Sequence, residues 1–376
     1  MLRLVEPVRA PAVRKIVDDE TRARVLAYLM AHRSARRSEI ARSLSISRSV
    51  VAEAMTQLQH AGIVKQTATR HEGGVRHRAF GLNRFGAGSV GLELGHRAII
   101  GVLTSVDGTV LARQSVTVEQ MTPAAISAAS IDLIGDLLHE GQFDVNCLVG
   151  IGMAIPDEPQ DLVHGPLRLA DRDCWAAIDA ESYFSAQFEL PVTIGRPVEM
   201  AAVAEATRLP LDAVTGVLHF GAEIDLMGVL ANGTILPNRG RVASRRGVDA
   251  DGKLALGEGE TSLSKIAGIP SMNAALGAAN RSADVERLVQ WVDQAAGPLT
   301  DLLVGLSRQV NPEQAILSGA VPRVLREALS VELTARVQEA DLGLTTDVIC
   351  GEAGRFAAAE GAAQEMLQHQ MLRATA

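Results

Sequence analysis

The chain has 376 residues, 47% hydrophobic and 21% charged, with aromatics at only 3%. This suits two or three globular domains and argues against an aromatic-lined RNA or single-strand surface. The net charge of −8 hides an asymmetry: residues 1–85 carry 16 Lys/Arg against 7 Asp/Glu, a net of +9, and the remainder carries 20 against 37, a net of −17. A basic head on an acidic body is expected of a nucleic-acid-binding module joined to a second unit. A positive tail without a partner is the plain alternative, disfavoured by the helical periodicity of the head. Cys147, Cys174 and Cys350 lie far apart, form no CxxC pair and are odd in number, so no disulfide framework is expected and a cytoplasmic setting is. No apolar run reaches the roughly 18 residues of a membrane span, and residues 1–20 lack a signal-peptide block.

In chain order, residues 1–19 read as an N-terminal arm. "ETRARVLAYLMAH" is a first helix with Val25, Leu26, Leu29 and Met30 on one face. "RSEIARSL" is a short second helix, opened by Ser38 as N-cap and burying Ile40 and Leu44. After the turn "SIS", Ser47 caps a third helix whose core face is Val51, Ala54, Met55 and Leu58. Its outer face is then Arg48, Ser49, Ala52, Glu53 and Thr56. A helix N-terminus attracts phosphate, Arg48 can reach a phosphate or a guanine edge, and small Ala52 allows deep entry into a major groove. Gly62 ends the helix, "IVKQTA" and "AFGLN" read as paired strands, and the Gly-Gly turn between them carries Arg70, Arg76 and Arg78. Residues 20–85 therefore read as a winged helix-turn-helix, with DNA candidates Arg36, Arg37, Ser47, Arg48, Ser49, Ala52, Glu53, Thr56, Arg70, Arg76 and Arg78. Each arginine has the ordinary alternative of a solvated surface side chain, and Glu53 needs a cytosine amino group or an arginine to justify a place near phosphate.

From residue 86 the pattern is α/β. A meander over 88–118 turns at Asp107-Gly108, a helical region covers 123–140, "VNCLVGIGMAIP" is a buried strand, and a helix covers 176–189. "PVTIG" and "EMAAVAEATR" follow as strand and helix. A second meander over 216–236 turns at Gly221 and Asn232-Gly233. After a loop at 238–260 come long helices near 283–309, the strand "QAILSG", the helix "RVLREALSVELTARV", the strand "TTDVICG" and a last helix "GRFAAAEGAAQEMLQ". Trp175 is expected in the core, with the rim of a cleft as the alternative. Two similar halves suggest a duplicated actin-like or sugar-kinase fold over 86–376, its lobes dividing near 195–215.

The winged head joined by "GLN" to "VGLELGHRAIIGVLTSVDGTVL", with "GIGMAIP", "PVTI…AAVAEA", "NPEQAILSGA" and "GRFAAAEGAA" following in order, resembles the ROK family of repressors and sugar kinases. The likeness runs from about residue 20 to the end, and the head aligns the chain with the family's transcriptional regulators. The kinase motifs are altered. The family's Asp-x-Gly-x-Thr phosphate loop matches Glu93-Leu94-Gly95-His96-Arg97, without the threonine. Its Asn-Asp pair, whose Asp is the base, matches Arg196-Pro197, and proline accepts no proton. Its Gly-Thr-Gly-Ile-Gly loop matches Gly221-Ala222-Glu223-Ile224-Asp225, where two carboxylates oppose a polyphosphate. Its Glu-x-Gly-His pair matches Arg241-Val242-Ala243-Ser244, and its cysteine-rich zinc motif matches "LALGEGE", which offers no thiolate or imidazole.

The resemblance thus implies a sequence-specific DNA-binding regulator, a repressor, with no cofactor, no metal and no catalytic residue. Its partners would be double-stranded DNA, a second copy or a tetramer of the chain, and a small-molecule effector. The body is either chiefly a dimerisation scaffold or a re-purposed effector cleft formed by Glu93, Arg196, Glu199, Glu223, Asp225 and Arg241. Its acidic walls would suit a cationic ligand, or would simply pair with Arg196, Arg241, Arg245 and Arg246. A sugar kinase with an appended head is the alternative function, and a weakly DNA-binding scaffold is a third. The linker Arg84–Gly88 would couple head to body.

Overall fold

The computed structural model describes residues 19–70, 76–95, 97–157, 159, 174–208, 214–222, 224–229, 247–248, 261–277, 283–310, 312–340 and 346–371. In the head, α1 (Glu20–His32) is capped by Asp19, which accepts from the Arg22 amide at 3.0 Å, and it buries Ala23, Val25, Leu26 and Leu29. Arg33, at φ 60°, turns the chain into β1 (Ser34–Ala35). The next helix, α2 (Arg37–Ser43), corrects one expectation: its N-cap is Arg36, not Ser38. The Glu39 carboxylate reaches back to the Arg36 amide at 2.8 Å, closing the first turn from its third position. Ser38 is exposed inside that turn, and Leu44 is only half-buried because it lies at the C-cap.

The third helix, α3 (Arg48–His60), has the expected Ser47 cap and buries Val51, Ala54, Met55 and Leu58. Gly62, at φ 74°, supplies the left-handed residue that ends it. The strands β2 (Val64–Arg70) and β3 (Arg76–Leu82) form an antiparallel hairpin, and β1 pairs with the free edge of β3. The sheet order is β1-β3-β2. Two residues show no alternation, so β1 left no mark in the sequence.

In the body, β4 (Gly88–Gly95), β5 (Ala98–Ser105) and β6 (Val110–Thr117) form the first meander, packed under α4 (Pro123–Glu140). Then come β7 (Leu148–Ala154), α5 (Ala180–Phe188), β8 (Val192–Gly195) and α6 (Pro197–Ala206). The sheet runs β6-β5-β4-β7-β8, with β4, β7 and β8 parallel. The expected helix over 176–189 begins only at Ala180, because Asp179 caps it. Trp175 is in the core: it is 6% exposed and its indole N–H donates to the Met121 carbonyl at 3.0 Å.

The second sheet is built from β9 (Thr215–Phe220) and β10 (Ile224–Val229), then, beyond the short pair β11 (Gly247–Val248) and β12 (Thr261–Ser262), from later strands. The helices α7 (Leu263–Ala267), α8 (Ile269–Gly277) and α9 (Ala283–Val310) follow. Helix α9 is one 28-residue helix running through Pro298, where several long helices were expected. Last come β13 (Gln314–Gly319), α10 (Arg323–Glu339), β14 (Asp347–Cys350) and α11 (Ala357–Met371). The sheet order is β10-β9-β13-β14, parallel from β9 to β14. The rest of the expected second meander, 230–236, lies outside the described residues. No helix among the described residues is long and apolar enough to cross a membrane.

Two features position the sites. First, α11 returns from the second sheet to lie on β4 and β7, and crosses α6 between the lobes, so the chain passes between the lobes more than once. The crossing is made of small residues, among them Ala201, Ala204, Ala358 and Ala362. Gly361 is required there because a methyl group would overlap the Met200 carbonyl oxygen. Second, the head is docked. Val106, Val149, Leu367 and Met371 of the body belong to the same apolar cluster as Val25, Leu29 and Phe80 of the head. The expected linker is a packed joint: Asn83 bonds the Ile63 and Gly62 carbonyls at 2.7 and 2.8 Å, and Ala87 is fully buried.

Candidate nucleic-acid interface and the body cleft

At the start of α3, the Ser47 hydroxyl accepts from the Val50 amide at 3.4 Å and lies 3.1 Å from the Ser49 hydroxyl. The apolar stripe Val51, Ala54, Met55 and Leu58 fixes the roll of the helix, so Arg48, Ser49, Glu53 and Thr56 face outward, with Ala52 half-buried. The Thr56 hydroxyl is turned to its own helix, donating to the Ala52 carbonyl at 2.8 Å. Glu53 accepts from Gln57 at 3.5 Å, and Gln57 in turn accepts from Arg22. Among the described residues, Arg48 makes no ion pair or hydrogen bond. Sequence reasoning passed over Val50, which is 40% exposed between Ser49 and the core; an exposed aliphatic beside a polar face is the signal, and it suits a thymine methyl group.

Beside α3 is a groove of about 510 Å³ walled by Arg36, Arg37, Gln59, Gln66, Arg78 and Phe80. Arg37 is engaged within the protein: its guanidinium stacks 4.7 Å from the Phe80 ring centre and reaches Gln59 at 3.5 Å, tying α2 to α3 and the hairpin. Arg36 pairs with Glu39 at 3.7 Å. Arg78 is exposed and has no ion pair or hydrogen bond among the described residues. Arg70 and Arg76 are placed by backbone as the register pair closing the hairpin; their side chains lie outside the described residues.

In the body, the C-terminal ends of β7, β8, β9 and the start of β10 converge. Arg196, following β8, caps α6, with Pro197 at its first position. Its side chain bonds Glu199 at 2.9 and 3.0 Å and approaches Asp157 at 3.8 Å and Asp225 at 4.0 Å. The cavity among these groups is about 10 Å³, room for about one water. Glu93 joins this cluster only through His219, which lines the same cavity. It sits on β4, 1% exposed, with Oε1 at 3.0 Å from Nε2 of His219 on β9, which is 1% exposed. The second atoms of this pair, Glu93 Oε2 and His219 Nδ1, have no hydrogen-bond partner. Gly221 fits over them because a Cβ there would come within 3.0 Å of both side chains. Structure thus gathers Arg196, Glu199 and Asp225 and adds Asp157 and His219, which sequence reasoning missed. A carboxylate just past a parallel strand was the signal for Asp157; a histidine inside an apolar strand was the signal for His219. Glu223 and Arg241 lie outside the described residues.

Among solved structures, a ROK family transcriptional regulator, a homologue of the E. coli MLC protein, superposes with a TM-score of 0.64 at 16% identity, covering 95% of this chain and 98% of that one. The chain has the ROK fold. A ROK glucokinase from Streptomyces griseus, solved with glucose and AMPPNP, superposes at 0.54 and 16% identity over 74% of this chain and 99% of its own. A ROK family protein from Streptococcus pneumoniae, solved with sucrose, reaches 0.52 at 14% identity over 75% and 99%. The regulator thus covers head and body, whereas each of these other two ROK structures covers about three quarters of the chain. Xylose repressors of Bacillus spizizenii and Bacillus subtilis are each 25% identical over 173 residues, 45% of this chain. The match spans under half the length, 44%, of these curated relatives. No family model matches the sequence.

Proposed function

We propose that the chain is a sequence-specific, DNA-binding transcriptional regulator of repressor type, working as a homodimer through the head at residues 20–85. The observation that carries this reading is the outward face at the start of α3, where Arg48 has no partner among the described residues and stands beside exposed Ser49 and Val50. A cation left uncompensated on a helix that begins with free amides has the chemistry of a phosphate or guanine contact. The groove beside it adds Arg36 and exposed Arg78 as backbone-tracking charges. Two-fold symmetry would make the target a palindrome or repeat.

The body in this reading is a scaffold without kinase activity. Pro197 stands where the family's kinases keep their base, and Arg196 beside it is paired with three carboxylates. The repressor names of the partial relatives agree with this reading. Selection from fragmented genomic DNA at physiological salt tests it, using the full chain and its Arg48→Ala variant. Enrichment of one repeated motif, lost in the variant, is the expected result. No enrichment, together with nucleotide turnover by the chain, would overturn it in favour of a kinase carrying a head.

A further inference from the structure

We propose that the cleft between the head and the body is a binding site for a small hydroxylated organic anion, and that its occupancy fixes the angle of the head. This coupling rests on the regulator reading above; the site itself does not.

The cleft has a volume of about 620 Å³, larger than any space left in the old kinase cleft among the described residues. Its head wall is α1, with Met30 and Arg33; its body walls are the β5–β6 turn at Asp107, Arg208 after α6, and Glu360 and Gln364 of α11. The charges on these walls are unequally satisfied. Glu360, 1% exposed, is held by Arg208, by Arg113 at 3.4 Å and by the Gln364 amide at 3.3 Å. Asp107 accepts from the Ser105 hydroxyl at 2.8 Å and the Thr109 amide at 3.0 Å. Among the described residues, Arg33 has no ion pair or hydrogen bond to its side chain. It is thus the charged side chain on these walls left without a partner among the described residues, and as a cation it takes an anion.

A second observation is independent of charge. Gln364 is 8% exposed, and its Oε1 has no donor. A buried acceptor without a donor is destabilising. A ligand hydroxyl supplies that donor after a small turn of the amide. Met30 and the apolar edge of α1 accept the carbon skeleton. A molecule so held touches α1 of the head and α11 of the body together, and it favours the head orientation in which both walls are in reach.

Calorimetric titration of the full-length chain tests the site, with glycerate, threonate, gluconate and glucose 6-phosphate as acids and glucose and glucosamine as neutral and cationic controls. At least one acid is expected to bind with a Kd below about 1 mM, and the controls are not. Arg33→Gln and Gln364→Leu should each weaken that binding about tenfold or more. Arg33 is exposed, so its variant keeps the fold, and unchanged melting of the free protein verifies this. Arg48→Ala, on the opposite task, should leave acid binding as it is. Binding by none of the four acids, or equal binding in Arg33→Gln, overturns the proposal. Saturating acid should then shift the affinity for a selected DNA site at least about threefold; a bound acid with no such shift overturns the coupling. Acid binding by a chain that selects no DNA retires the regulator reading and leaves the site standing.

Discussion

The face of α3 and the cleft of the body are both furnished with arginine, and they use it in opposite ways. Around Arg196 the positive charge is enclosed by Glu199, Asp157 and Asp225, all within 4.0 Å, and the space among them admits about one water. Around Arg48 no carboxylate among the described residues closes in. In the first arrangement the guanidinium needs no ligand, because carboxylates of the chain already pair with it. The second is incomplete, because its neighbours are exposed hydroxyls and an aliphatic that gain contacts only from outside. Arginine content by itself therefore says little about which surface binds. The state of compensation says more.

Four measurements test this contrast. The largest effect is expected at the buried pair. His219→Leu leaves Glu93 without its partner in a site closed to water, and should cost about 3–5 kcal/mol in denaturant unfolding. The double variant Glu93→Leu/His219→Leu should recover much of that; a single variant as stable as the parent would break the contrast. Next, Arg48→Ala should weaken specific DNA binding by about 10- to 100-fold with no change in melting temperature. A fall in stability instead would mean that Arg48 serves the fold. Third, Arg196→Met should lower stability by about 1–2 kcal/mol, because it strips the donor from Glu199, and should leave DNA affinity unaltered. The smallest effect lies at the seam between the regions. Burial pushes the Asp107 carboxyl up, but hydrogen bonds from Thr109 and Ser105, helped by Arg84, outweigh it and hold the group below its ordinary value. A group held low stabilises the fold fully above its unfolded value, about pH 4, and loses that contribution as the pH falls through the lowered value. Asp107→Asn should therefore be slightly less stable than the parent at neutral pH, with the difference vanishing in acid. A difference that persists in acid would assign the effect to the turn rather than to the charge.

Much of the head was legible because its signals are local. Ser47 caps α3 by contacts within three residues, and the spacing of Val51, Met55 and Leu58 fixes which face is buried. The Ser38 expectation failed for a local reason as well: Glu39 accepts from the Arg36 amide and closes the first turn there, which leaves Ser38 inside the helix rather than at its cap. The cleft was less legible. Arg196 and Glu199 are three apart and could be paired on paper, whereas Asp157 and Asp225 reach Arg196 from 39 and 29 residues away. His219 and Glu93 are separated by 126 positions, and only the placement of β4 and β9 in two facing sheets brings them together.

Local patterns set most of the order of helices and strands, the basic head and the acidic body, because periodicity, caps and residue type act over a few positions. Which charges are compensated and how the head is held were left to long-range packing. Those outcomes depend on α11, the last helix of the described chain, folding back between the lobes and sharing Leu367 and Met371 with the core of the first helices. No pattern near residue 30 encodes a contact made by residue 367; burying both apolar surfaces together does.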